Sequence, residues 1–98
     1  MTQRYLKKLQ DFFSMQPIEK AWIFGSFARG EESPESDVDI LVRYTPGTVL
    51  GLFGICELTE KLEALLGRRV DLVEEGTLFP RVAKHVDAEK LQIYERVS

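Results

Sequence analysis

One cysteine, one histidine and four prolines in 98 residues leave several classes of protein without material here. Cys56 has no second thiol to pair with and lies among apolar residues, so a reducing compartment and a buried thiol are expected. His85 stands alone beside Lys84, Asp87 and Glu89, which leaves little material for a histidine-rich metal centre or a triad; a partly exposed helix position is its expected role. No apolar run approaches a membrane span, and Met1 to Lys8 carries charges throughout with no signal-peptide core, so a soluble cytoplasmic protein is expected. Basic residues are outnumbered 13 to 16, and a net charge of -3 is a poor footprint for holding nucleic-acid phosphates. Repeats, linkers and low-complexity segments are absent too. What remains is 44% hydrophobic, enough to bury one core, and the length fits a single domain spanning 1-98.

Leu6, Leu9, Phe12 and Phe13 recur at helical spacing, which predicts an amphipathic helix from about Thr2 to Met15, ended by Pro17. Ala21-Trp22-Ile23-Phe24 reads as a short buried strand, Gly25 as a turn, and Ser26 to Arg29 as the start of a short helix that exits at Gly30. The polar stretch Glu31 to Ser36 is a loop. Asp37 to Arg43 predicts a second strand, with Val38, Ile40 and Val42 on one parity and Asp37, Asp39 and Leu41 on the other. The longest helix follows, to Leu66, with Gly67 at its C-cap position. Arg69 to Val73 predicts a third strand, Leu78 to about Ala88 a last helix, and Leu91 to Tyr94 a weak final strand. This alternation predicts an α/β or α+β fold, a small mixed sheet with helices packed on it.

Asp37 and Asp39, two residues apart on a strand, share a face about 6.6 Å apart along the backbone. Hard carboxylate oxygens of this kind suit Mg²⁺, which completes its octahedron with water and substrate phosphates. For an isolated Asp-x-Asp the plainer reading is that Ser36-Asp37 belongs to a solvated turn and Asp39 is an exposed strand residue. Gly25-Ser26 adds a strand-glycine-helix junction whose N–H groups can face an anion, though a serine N-cap would use the same residues. A P-loop is excluded because Glu31 and Glu32 stand where lysine and serine or threonine are required. An EF-hand is excluded by Leu41 and Val42.

Gly25-Ser26-Phe27-Ala28-Arg29-Gly30 and Ser36-Asp37-Val38-Asp39-Ile40 together resemble the minimal nucleotidyltransferases of the DNA polymerase beta superfamily. The resemblance implies a polymerase-beta-like nucleotidyltransferase fold, with Gly25 and Ser26 holding the triphosphate and Asp37 and Asp39 holding two Mg²⁺ ions. It also implies a third carboxylate from a later strand, where Asp71 stands. ATP is the implied donor. Asp71 alternates with Val70 and Leu72, so it should point away from the face they bury and meet the other two carboxylates. Arg29, one turn after Ser26, either leans toward the triphosphate or makes a surface salt bridge to Glu31, Glu32 or Glu35. Arg68-Arg69, like Glu74 and Glu75, is read as solvated.

Minimal members of this family accompany small helical HEPN-type toxins and act as antitoxins by transferring AMP to them, which is the role the resemblance implies here. A non-catalytic module that neutralises a partner, and transfer to a small molecule such as an aminoglycoside, are the alternatives. Leu52, Phe53 and Cys56 lie beside the main apolar stripe of the longest helix and either finish the core or form a patch for a helical partner. The acceptor, the base preference and the oligomeric state stay open.

Overall fold

The computed structural model describes residues 2–97. Helix α1 covers Gln3–Ser14: the Thr2 hydroxyl accepts from the Tyr5 N–H at 3.3 Å, and the apolar stripe turns Leu9 and Phe13 completely inward. Strand β1 runs Ile18–Phe24, three residues longer at its start than the apolar run suggests. The extension is secured because Ile18 is fully buried and pairs with Tyr44, while Arg96 donates to the Ile18 carbonyl at 3.1 Å. Then come α2 (Ser26–Arg29), β2 (Val38–Tyr44), α3 (Leu52–Leu66), β3 (Val70–Glu74), α4 (Pro80–Glu89) and β4 (Leu91–Glu95). Asp37 therefore sits just before its strand rather than on it, and the weak final strand is real.

The sheet is mixed, in the order β3-β2-β1-β4. β1 pairs antiparallel with β2 and β4, whereas β2 and β3 run parallel, joined through α3. One face carries Ala21, Ile23, Val38, Ile40, Val42, Val70 and Ile93 and is covered by Leu9 and Phe13 of α1 and Leu58, Leu62 and Leu66 of α3. Each such Leu, Ile or Phe contributes about 1.5–3 kcal/mol by leaving water. The opposite face is divided. Trp22 and Leu41 pack there against Val86 of α4, with Phe24, Val73 and Leu78 at the margin. Asp39 and Asp71 share the strand parity of Leu41 and Val73, so a polar end adjoins this second apolar cluster.

Cys56 is exposed, not buried, because α3 turns Leu58, Leu62 and Leu66 inward and leaves Cys56 on its outer side. Leu52 and Phe53 are 74% and 90% exposed, so they do not finish the core. Val49, shortly before the helix, is 90% exposed as well. Among the described residues no helix is long and apolar enough to cross a membrane.

Candidate active site

At the end of β1 the chain reverses through Gly25, whose φ of 69° and ψ of -149° lie in a region open essentially to glycine alone. Space enforces the same choice, since a Cβ at Gly25 would collide with Oδ2 of Asp39. Ser26, half-buried, is the first residue of α2, and Gly30 ends that helix in the left-handed region at φ 72°. Gly25-Ser26 and Asp39 are thus in contact because Phe24 and Asp39 are register partners across β1 and β2.

On the other side of β2, Asp39 is the register partner of Asp71 on β3. Parallel neighbours lie about 4.8 Å apart, and both side chains leave the sheet on one face. Asp37 precedes the strand; its carboxylate is exposed, 3.9 Å from Nε of Arg69. Burial, and after it the charges of Asp71 and Asp37, push the Asp39 carboxyl above its ordinary range. Three like-charged groups therefore crowd the end of the β2–β3 pair.

The acidic loop is held by a residue read from sequence as solvated. Arg68 places Nη1 at 3.0, 3.3 and 3.2 Å from the carbonyl oxygens of Ser33, Pro34 and Ser36, and its guanidinium lies 5.1 Å from the Phe27 ring centre. It pins the segment leading into Asp37 against α2. Only Arg69 of the pair is exposed.

Arg29 has a partner that sequence proximity does not reveal. Its Nε donates to Glu31 at 3.2 Å, as foreseen among nearby acids, but its Nη1 donates to Glu89 at 2.9 Å. These two acids, Glu89 first, raise the Arg29 pKa. The other Glu89 oxygen accepts from the Gly25 N–H at 3.0 Å. Arg29 and then the Gly25 N–H hold the Glu89 carboxyl below its ordinary range. One donor of the expected anion-facing turn is therefore already engaged by the chain itself. The link follows from strand register: Ile23 faces Leu91 across β1 and β4, and two more residues along each chain bring Gly25 opposite Glu89. His85, by contrast, is exposed on α4, as expected.

Among the described residues no three histidine, cysteine, aspartate or glutamate side chains converge into a ready-made metal cage. Asp39 and Asp71 are nonetheless adjacent, Asp37 adds charge beside them, and Asp39 is partly desolvated among like charges. This donor set of hard oxygens fits an ion such as Mg²⁺ that takes few protein ligands and completes its shell with substrate phosphate and water. A shallow pocket lined by Gln16, Pro17, Leu50, Gly54 and Lys61 opens beside the start of α3, far in sequence from the glycine turn and the carboxylates.

The polymerase beta nucleotidyltransferase family model matches residues 7–98. The protein adenylyltransferase MntA of Thermococcus cleftensis is 45% identical over 80 residues, 82% of this chain and 76% of that one. A candidate protein adenylyltransferase of Methanocaldococcus jannaschii, MJ1379, is 33% identical over 93% of this chain and 89% of its own. Among solved structures, a toxin-antitoxin crystallised with AMP-PNP superposes with a TM-score of 0.75 at 25% identity, covering 98% of this chain and 75% of that one. A candidate minimal nucleotidyltransferase reaches 0.72 at 36% identity, covering 90% and 87%. With a strand-glycine-serine turn against paired aspartates on neighbouring strands, and a family match over nearly its whole length, this chain is a nucleotidyltransferase and belongs to the polymerase beta family.

Proposed function

We propose that this protein transfers AMP from ATP to a hydroxyl of a partner protein, and that the partner is a small helical HEPN-type toxin which it restrains as an antitoxin. The observation that carries the reading is the contact of the Gly25-Ser26 turn with Asp39, beside Asp71. The 45% identity to a protein adenylyltransferase, and the likeness to a toxin-antitoxin complex holding AMP-PNP, support the protein acceptor and the adenine nucleotide. The 98 residues would act as one minimal domain in the cytoplasm.

Ser26 and Arg29 bind and orient the β and γ phosphates, with Gly25 shaping the turn while its own N–H stays on Glu89, which places the α-phosphorus over the carboxylates. Two magnesium ions, held by Asp37, Asp39 and Asp71, would neutralise charge on the phosphates. Asp71, which is exposed, takes the proton from the incoming hydroxyl. The hydroxyl oxygen bonds to the α-phosphorus, the bond to the bridging oxygen breaks, and pyrophosphate leaves. Val49, Leu52 and Phe53 offer an apolar docking surface, in keeping with a protein rather than a polynucleotide partner for a chain of net charge -3.

Incubation with Mg²⁺, α-labelled ATP and either the neighbouring gene product or RNA, followed by intact-mass measurement, tests the reading. An added AMP on the protein partner, lost in Asp39→Asn, is expected. Label on RNA termini with the partner unmodified overturns it, and neutralisation of the partner that survives Asp39→Asn would make the chain a non-catalytic binding module.

A further inference from the structure

We propose that Glu89 is a positioning residue for nucleotidyl transfer, fixing the Gly25-Ser26 turn and the Arg29 guanidinium together at the edge of the carboxylate cluster. The inference rests on the reading of that cluster as the transfer site.

Glu89 is the last residue of α4, 64 positions from Gly25, yet its two oxygens are divided between the site's two phosphate-facing elements. One accepts from the Gly25 N–H at 3.0 Å and the other from Arg29 Nη1 at 2.9 Å. A carboxylate bridging a backbone donor and a guanidinium holds both in one geometry, because each bond is charge-assisted. Gly25 is gripped on both sides: Glu89 holds its N–H from the β4 side, and Asp39 occupies the space where a side chain would stand on the β2 side. A shift of the turn toward Asp39 is blocked by that oxygen, and a shift away stretches the bond to Glu89. Strand register brings the turn beside Asp39, and Glu89 fixes it there while hydrogen-bonding only Gly25 and Arg29, its charge acting on Asp39 through space.

Arg29 is restrained in the same way. Glu31 takes Nε at 3.2 Å while Glu89 takes Nη1, so the planar fork is held by two acids and keeps further N–H donors for a phosphate. An arginine 45% exposed would otherwise lose substantial side-chain entropy on meeting a phosphate. Glu89 removes that cost before the nucleotide arrives, as preorganisation does generally.

The test compares wild type, Glu89→Gln and Glu89→Ala by calorimetric titration with ATP in excess Mg²⁺, well below each thermal midpoint, alongside the AMP-transfer rate. Glu89→Gln keeps an acceptor for the Gly25 N–H but sets an amide against Arg29, and it carries the test if Glu89→Ala does not fold. The expected result is MgATP binding about tenfold weaker or more in Glu89→Ala, with Glu89→Gln between it and wild type. Unchanged binding by folded variants, or a loss of thermal midpoint alone, overturns the inference. Tighter binding does so as well, because Glu89 would then be an anion competing with the phosphates. Absence of MgATP binding by wild type sinks the proposed function and this inference with it; wild-type binding with indifferent variants sinks this inference alone.

Discussion

Asp39 and Asp71 face each other as register partners in the parallel β2–β3 pair, 32 residues apart in the chain. Burial first, and the charge of Asp71 second, hold the Asp39 carboxyl above its ordinary range. Function and stability therefore pull in opposite directions at this residue.

Asp39→Asn should leave the thermal midpoint unchanged or higher, while AMP transfer falls about a hundredfold or more through loss of a metal-binding charge. The sign of the pH effect follows from linkage. The folded pKa lies above the ordinary 3.8, so the native state binds the proton more tightly than the unfolded chain between those two values. Stability of the metal-free protein falls as pH rises through that window, and the loss is complete above the folded pKa. Denaturant titrations across acid pH without divalent ions should show this slope diminished in the variant. An Asp39→Asn protein that unfolds would instead make Asp39 structural.

ATP should bind only with a divalent ion, because a triphosphate brought to three carboxylates meets like charge at close range. Calorimetry with Mg²⁺ and with chelator measures this directly. Equal affinity in both conditions contradicts a metal-bridged site.

Gly25→Ala should cost about 1–3 kcal/mol for the backbone conformation alone, with a further loss from the collision with Asp39 Oδ2. Denaturant unfolding gives the combined cost. MgATP binding should also be lost at temperatures where the variant stays folded.

Arg68→Ala should destabilise the protein by about 1–3 kcal/mol, since it strips the donor from the Ser33, Pro34 and Ser36 carbonyls. The loop before Asp37 should then exchange its amide hydrogens faster, observable by mass spectrometry. Unaltered exchange there would show that the loop holds itself.

Leu52→Ser and Phe53→Ser should change stability by no more than about 0.5 kcal/mol, because both side chains are exposed. Co-purification with the neighbouring gene product should be lost. Retained binding would move the docking surface elsewhere, with Phe79, 82% exposed, as the next residue to alter.

Features that depend on the period of a single element are legible along the chain. Val38, Ile40 and Val42 fall on one parity and Asp39 on the other because successive strand residues alternate. Thr2, Gly30 and Gly67 mark helix ends because caps are local. The glycine-serine turn and the Asp-x-Asp pair were legible for the same reason, and Asp71 by its strand context. Tertiary structure alone decided what joins elements. Ile18 to Lys20 extend β1 because Tyr44, Arg43 and Glu95 lie beside them. Cys56 faces outward because α3 spends its buried face on Leu58, Leu62 and Leu66. Arg68 is a clamp rather than a solvated charge because the loop passes over it. Glu89 reaches Gly25 because β4 lies antiparallel beside β1, with Leu91 opposite Ile23. Strand order and register fix such meetings, and no spacing within one element encodes them.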